Sequence, residues 1–425
     1  MKVVVFEQDG FESLYPLTYL KAAFELRCGA LTLLEKVRRK FPDTGLRLEV
    51  RDALAGVTRE TYGAAVLSGS QPALPDDDLL LISAGAILTA APETYRQAER
   101  AAATQDGDFI WAYLKADTVR GLGAGSAREL AALAADRLPA EATDDILIKY
   151  PWDLVDRNPA QITADFEASY AAGAGADPGP GVAVFGEPEQ LFVGQDVEVQ
   201  PCTFIDCREG PVVIDDGAVV HAHSSIHGPA YIGRQARLME ARVREGTTVG
   251  PVCRVGGEIE ESIIHGYANK YHTGFLGHSY VGEWVNLGAM TTNSDLKNDY
   301  SNVSVYVNGQ PRDTGSMKVG SFIGDHTKTS IGTLLNTGSF VGIMCNLVAG
   351  SSVLPKYIPS FCWYLNDRIG KGLGLSYALE TARAAMARRG VTLTDAMAKL
   401  IEYTEELTRP EKMEKVKRDR RKAFR

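Results

Sequence analysis

Aliphatic residues fall one every six positions along the middle of this chain, at Ile214, Val220, Ile226, Ile232 and Leu238. After a one-residue slip the beat resumes at Val243, Val249 and Val255. It returns at Val281 and Leu287, and again at Val341, Leu347 and Val353. Glycine often follows, as in Ile232-Gly233, Val249-Gly250, Val281-Gly282, Leu287-Gly288, Ile331-Gly332 and Val341-Gly342. A helix requires a period near 3.6 and a half-buried strand a period of 2. A strict six with glycine points instead to a parallel β-helix. Each hexad is then one short strand plus a corner, with the aliphatic side chain inside the prism. Glycine is expected to make the corner, where backbone freedom is needed.

The 425 residues are too many for one core, so two or three domains are expected. A net charge of −9 argues against broad nucleic-acid binding. No apolar run reaches the ~20 residues that span a bilayer. The opening MKVVVFEQDG reads as a first strand and not a signal peptide. The six cysteines are scattered without a CxxC pair, which suits free thiols in a reducing cytoplasm.

Residues 1–170 read as an α/β domain. Strands are expected at Val3–Phe6, Ala65–Leu67 and Leu79–Ile82, and helices at Leu31–Phe41, Pro92–Ala103 and Ala127–Leu138, giving a mainly parallel sheet. Residues 171–185 hold AAGAGADPGPG and read as a linker. Residues 186–363 form the β-helix domain. An insert between Asn293 and Lys318 carries one alternating strand, Val303–Val307, closed by Asn308-Gly309. Insertions in solenoids often map to the binding face. Residues 364–425 read as a helical extension, with Met397, Leu400, Ile401 and Thr404 on one face and Thr394 or Asp395 as cap. The basic run Glu411–Arg425 reads as a solvated helix or frayed tail.

All seven histidines lie in the hexad region: His221, His223, His227, His265, His272, His278 and His326. Acid–base chemistry near neutral pH therefore belongs to that domain. His221, His223 and His227 offer imidazoles for zinc. Residues six apart lie on adjacent sides of the prism, so that set needs a neighbouring chain to converge.

The stretch Lys270-Tyr271-His272-Thr273-Gly274-Phe275-Leu276-Gly277, followed by Val285-Asn286-Leu287-Gly288-Ala289, resembles the acetyltransferase half of the bifunctional N-acetylglucosamine-1-phosphate uridyltransferase/glucosamine-1-phosphate N-acetyltransferase family. The resemblance continues through Gly320–Thr329. In the first domain it includes Leu17-Thr18, Glu25-Leu26-Arg27-x-Gly29 and Tyr150-Pro151-Trp152-Asp153 with Asn158. The Gly320–Thr329 stretch looks like archaeal members and an alternative bacterial branch, the first domain fits the same branch, and the resemblance covers about residues 1–363.

The resemblance implies a nucleotidyltransferase-like α/β domain joined to a left-handed parallel β-helix that trimerises. It implies transfer of acetyl from acetyl-CoA to the amine of an amino-sugar phosphate, with UTP-dependent nucleotidyl transfer as a second step. His272 matches the general base. Arg254, Lys270, Phe275, Asn286, Asp295 and Lys297 are implied near the sugar phosphate. Gly288 and Ala289 are the implied oxyanion donors, and Lys328 and Thr329 belong to the coenzyme site. Phe275 stands where the family has tyrosine, Asp295 where it has asparagine, and Glu260 where classical members have a lysine.

For the nucleotide the resemblance implies Leu17, Thr18, Lys21, Arg27, Asp153 and Asn158, with Mg²⁺ as companion. The first domain departs from the classical pattern. Ser13 replaces the loop arginine, and Ser83-Ala84-Gly85 stands where an aspartate for Mg²⁺ is usual. Asp9, Asp153 and Asp165 are the available substitutes, so no metal ligand is assigned. Three other readings stay open. One is an acyltransferase acting on a hydroxyl or a nucleotide sugar, with an inactive first domain. Another is a zinc lyase of the γ-carbonic-anhydrase type. The last is a trimeric scaffold with no turnover. Small-molecule substrates in the cytoplasm, and neither nucleic acid nor membrane, are the expected partners.

Overall fold

A computed structural model describes residues 1–67, 74–350 and 352–422. The first domain is built on a seven-stranded sheet. Its strands are β1 (Lys2–Phe6), β2 (Gly45–Glu49), β3 (Val66–Leu67), β4 (Leu79–Ser83), β5 (Arg100–Ala103), β6 (Phe109–Leu114) and β7 (Ala140–Glu141). The spatial order is β3-β2-β1-β4-β6-β5-β7, parallel from β3 to β4, with β6 antiparallel to both its neighbours. Five helices accompany the sheet: α1 (Leu33–Lys40), α2 (Ala55–Tyr62), α3 (Ala116–Leu122), α4 (Ala127–Arg137) and α5 (Pro151–Ser169). Thr32 and Glu35 close a reciprocal capping box at the start of α1.

The helix expected over Pro92–Ala103 is absent. Pro92–Arg96 makes a short 3₁₀ turn, and Arg100–Ala103 is strand β5. Alanine has the highest helix propensity, but the preference is small in energy, and pairing with β6 on one side and β7 on the other outweighs it.

The hexads fold as a parallel β-helix with three faces. Face B shows the register most completely. Nine strands from Leu191–Val193 to Tyr357–Ile358 stack in order. Val193, Ile214, Ile232, Val249, Ile264, Val281, Ile323, Val341 and Ile358 align one above the other. Face C carries Val199, Val220, Leu238 and Val255 in the same way, and face A carries Ile205, Ile226, Val243 and Ile259. The first rung is Ala183–Phe185, paired with Phe204–Asp206 inside the segment read as linker. Two hexad assignments slip. Ile331 and Val353 are 71% and 47% exposed, and Leu335 and Leu354 fill the interior instead.

Of the six glycines named after aliphatic residues, Gly332 alone turns left-handed to make a corner as expected. Three residues after each inward residue of face B the backbone turns left-handed, at Asp196, Gly217, Gln235, Val252, Tyr267, Trp284, His326, Met344 and Phe361. All but one are non-glycine. The other five glycines that follow the aliphatic residues are required by close coil spacing. A Cβ on Gly250 would meet the His265 carbonyl oxygen at 1.9 Å, and one on Gly342 the Ser360 nitrogen at 2.3 Å. A left-handed bend strains an L-residue, and the corner side chains stack in return. Tyr267 and Trp284 lie 4.4 Å apart at 20°, with His326 beyond at 6.1 Å.

The first domain covers face B. Trp152 packs against Phe322, and the Asn158 amide donates to the Gly246 carbonyl. The insert forms an antiparallel hairpin, Ser304–Val307 with Gln310–Asp313, through Asn308-Gly309. It does not lie on the His272 side. Arg312 donates to the Tyr150 hydroxyl, and Tyr306 meets Tyr357. Helix α6 (Leu375–Ala387) leans on face C, and α7 (Asp395–Lys422) joins both domains. Thr394 caps α7 by accepting from the Met397 N–H. The basic segment is a packed helix up to Lys422, not a frayed end. Val416 is buried in the prism core, and Leu400 and Ile401 in the first domain's core. Residues 423–425 of the basic run lie outside the described residues.

Candidate functional site

Of the seven histidines, His265, His278 and His326 are buried at coil corners. Burial, aided by Lys21 and Arg27, holds His265 well below the usual histidine range, and its Nδ1 meets the Tyr280 hydroxyl at 2.9 Å. Burial also holds His326 neutral, with Lys328 and Lys21 adding to the effect, and its Nδ1 has no hydrogen-bond partner among the described residues. His278 is the opposite case. Burial opposes its charge, but bonds to Asp295 at 2.9 Å and Glu261 at 3.4 Å outweigh it and raise the imidazole to about 9. His227 lies 3.9 Å from Asp206. Among the described residues no three histidine, cysteine or carboxylate side chains converge on a metal position. The zinc reading of His221, His223 and His227 therefore has no centre within one chain.

His272, like the exposed His223, is not buried. It is exposed at the corner between faces C and A, and its imidazole makes no hydrogen bond or ion pair among the described residues. An open groove of about 680 Å³ runs past it, lined by His223, Arg242, Glu258, Tyr271 and Phe275. Tyr271 meets the imidazole edge-on at 5.7 Å, and the Arg254 guanidinium lies 6.0 Å from the Tyr271 ring. The next coil's corner runs directly alongside, with the Met290 N–H donating to the Thr273 carbonyl.

The implied sugar-phosphate residues do not all gather there. Phe275 flanks the groove, and Arg254 approaches through Tyr271. Lys270 is contradicted as a substrate contact. It pairs in register with the inward Val255 and is 2% exposed inside the prism. Its ammonium donates to the His272 carbonyl at 2.5 Å and the Gly256 carbonyl at 3.1 Å. Burial lowers it to about 8. Asp295 accepts from His278 at the far end of face A, and Lys297 is held by Ser301 and Asn302 of the insert. The Gly288 N–H is already spent on Thr329 Oγ1 at 2.9 Å, which corrects its oxyanion role. The Ala289 N–H, on the corner beside His272, has no acceptor among the described residues.

Asn286 and Lys328 lie on face C, in one column with Arg237, Arg254 and Asn269. The Lys328 ammonium donates to the carbonyls of His326 and Trp284, and burial lowers it to about 8. Thr329 points inward and is buried.

A separate cavity of about 180 Å³ opens at the carboxyl ends of β1 and β4, where parallel α/β sheets bind ligands. Glu7, Asp9, Gly10, Ser83, Asp108 and Lys149 line it. None of the six implied nucleotide residues does. Lys21 is buried and ion-paired to Asp325 and Glu283 of the β-helix. Burial opposes its charge, but the Asp325 carboxylate outweighs it and pushes Lys21 above the usual lysine range. The Arg27 N–H donates to the Tyr280 hydroxyl, and its guanidinium faces Tyr231. Asn158 bridges Gly29 and Gly246, while Asp153 caps α5 by accepting from Lys149 and Tyr150. Leu17 and Thr18 are buried in the domain core. The interface between the two domains, not a nucleotide, takes up most of these side chains. Asp165 is likewise consumed by Lys36 and Arg39.

The cavity carboxylates are each matched by a cation: Glu7 with Arg51, Asp9 with Arg128 and Asp108 with Lys149. They do not fit a preformed Mg²⁺ centre. Of the carboxylates named as substitutes, Asp9 alone reaches the cavity. Asp108 and Lys149 carried no motif that sequence alone would mark.

Residues 3–171 match the sugar nucleotidyl transferase family. Over 96 residues the chain is 33% identical to a bifunctional sugar-1-phosphate nucleotidylyltransferase/acetyltransferase from Sulfurisphaera tokodaii, covering 23% of this chain and 24% of the relative. Over 256 residues it is 28% identical to the Bifunctional protein GlmU of Alkalilimnicola ehrlichii, covering 60% and 49%. The chain thus spans between a quarter and a half of these two curated relatives. A solved Arabidopsis UDP-N-acetylglucosamine acyltransferase overlaps 50% of this chain and 77% of its own, at 13% identity and a TM-score of 0.23. The fold assignment rests on the strand register instead. By these matches residues 3–171 resemble sugar nucleotidyl transferases, and parts of the chain are similar to bifunctional nucleotidylyltransferase/acetyltransferases.

Proposed function

We propose that the His272 groove transfers acetyl from acetyl-CoA to the amine of an amino-sugar phosphate. One observation carries this reading. Two of the seven histidines, His223 and His272, line the open groove with imidazoles unbonded among the described residues, and His272 is the one on the coil whose sequence resembles the acetyltransferases. An amine must lose a proton as it becomes an amide, and a positioned imidazole is suited to accept it. The nitrogen forms its bond to the thioester carbonyl carbon, and His272 takes the amine proton. The tetrahedral oxyanion is met by the Ala289 N–H. Collapse of that intermediate breaks the carbon–sulfur bond, and the thiolate leaves with the proton from His272. Phe275 supplies an apolar wall for the sugar ring. Arg242 and Arg254 are the cations nearest the groove for its phosphate. Faces A and C stay uncovered by the first domain, which leaves room for a trimer of prisms.

Nucleotidyl transfer by the first domain is the second reading, favoured by the match over residues 3–171. A sugar-phosphate oxygen would attack the α-phosphorus of UTP and release pyrophosphate. Arg51, Arg128 and Lys149 supply positive charge at the cavity. The test is one assay of the full chain with acetyl-CoA, UTP, Mg²⁺ and a panel of amino-sugar phosphates, reading thiol and pyrophosphate separately. Thiol release with one acceptor supports the first reading. No thiol release with any acceptor removes it, and pyrophosphate release decides the second independently.

A further inference from the structure

A pocket of about 290 Å³ lies between α6 and face C. Its walls are Tyr267, Asn269, Trp284, Asn286 and Lys328 from the prism, with Arg388 and Arg389 from the end of α6. Lys328 is a residue that the resemblance implies at the coenzyme site and Asn286 one that it implies near the sugar phosphate, whereas neither arginine was marked by any sequence feature. Among the described residues no carboxylate lines the pocket.

The charge there is unbalanced. Arg389 donates to the Asn269 side-chain oxygen at 3.0 Å, and Asn269 donates to Asn286 at 3.2 Å. Neither partner carries negative charge. Lys328 reaches only main-chain carbonyls. Arg237 and Arg254 occupy neighbouring rungs of the same face, close enough to act on Arg389. Among the described residues none of these five cations has an ion pair. Burial, together with Arg254, Arg388 and Arg237, draws Arg389 below the usual arginine range. The carboxyl end of α6 supplies about half a negative charge, far short of five positive ones. Folded proteins rarely gather like charges on a concave surface without an anion to neutralise them.

Trp284 is not a slot for a base. Tyr267 covers one of its faces and His326 stacks toward the other. The pocket therefore recognises charge and hydrogen-bond acceptors, not a ring. Forked guanidinium groups suit phosphate oxygens, and the Asn286 amide adds a neutral donor.

We propose that the pocket beneath α6 binds a multiply charged phosphate group, a diphosphate or a phosphate monoester. This inference leans on the acetyl-transfer reading only for the natural source of that phosphate, the coenzyme. A free polyphosphate shares the same chemistry.

The experiment is isothermal titration of the full chain with inorganic pyrophosphate, with desacetyl coenzyme A and with its form lacking the 3′-phosphate. Arg388→Ser/Arg389→Ser is expected to weaken pyrophosphate binding at least tenfold. Asn286→Asp, an exposed change, is expected to do the same by adding a negative charge. Arg242→Ser, in the His272 groove, is expected to leave pyrophosphate binding within twofold. If desacetyl coenzyme A weakens in parallel, the coenzyme is the source. If it binds the double variant as tightly as the wild type while pyrophosphate does not, a free phosphate is. His272→Ala is expected to retain pyrophosphate binding whether or not the acetyl-transfer reading stands. Pyrophosphate binding within twofold of wild type in both pocket variants overturns the proposal, as does failure of the wild type to bind it.

Discussion

Lys270 and His278 show how much a side chain's meaning depends on which way its coil position points. Lys270 sits two residues before His272 and reads as a phosphate contact, yet its ammonium lies inside the prism under the His272 carbonyl. Its role is to hold the corner. Lys270→Met keeps the chain's bulk and removes the charge. The expected result is a lower kcat for acetyl transfer, by about tenfold, with KM for the acceptor unchanged within twofold. A large rise in KM alone would restore Lys270 as a substrate contact. His278 carries the pH prediction. Its folded-state value of about 9 exceeds the ordinary 6.5, so its stabilisation is complete below pH 6.5 and is lost as pH rises through 9. The contribution is on the order of 3 kcal/mol. Unfolding midpoints of wild type and His278→Asn should therefore differ most near pH 6 and converge above pH 9. A difference that does not change with pH contradicts the ion-pair account.

The hexad beat made the β-helix readable, because one inward side chain per strand is imposed by the prism itself. The same beat, carried on from Ile264, reaches Lys270 and then Leu276, so the interior position of Lys270 was available in the pattern. Chemical type drew attention away from phase. The corners were misread for a related reason. A glycine after an aliphatic residue suggests backbone freedom, but spacing between coils is visible only in three dimensions. These causes make different predictions. Gly250→Ala places a methyl group on the His265 carbonyl and should cost about 3 kcal/mol. Val252→Gly relieves a left-handed valine at the price of chain entropy, and should stay within about 1 kcal/mol of wild type. Thermal unfolding of both variants checks this. Equal losses would contradict the division between spacing and corner roles. Arg100–Ala103 went unread as a strand because its pairing partners lie outside the local sequence.

At the scale of the molecule, the first domain lies along face B, and the join is ionic as well as apolar. Sequence reasoning separated the domains but placed the join's residues in a nucleotide site, because an inter-domain contact leaves no periodic trace. Removing the Lys21 ammonium strands Asp325 and Glu283 in a buried setting. Lys21→Ala should cost about 3 kcal/mol of stability and leave UTP affinity within twofold. A tenfold loss of UTP affinity with unchanged stability would return Lys21 to the nucleotide site. The arrangement leaves the His272 corner and the pocket under α6 on surfaces that the first domain does not cover. The central claim is that a free imidazole on that corner moves the amine proton. Thiol release from acetyl-CoA with the best acceptor measures it most directly. His272→Ala, with its circular dichroism unchanged, should be slower by about two to four orders of magnitude. Turnover equal to that of the wild type would contradict it.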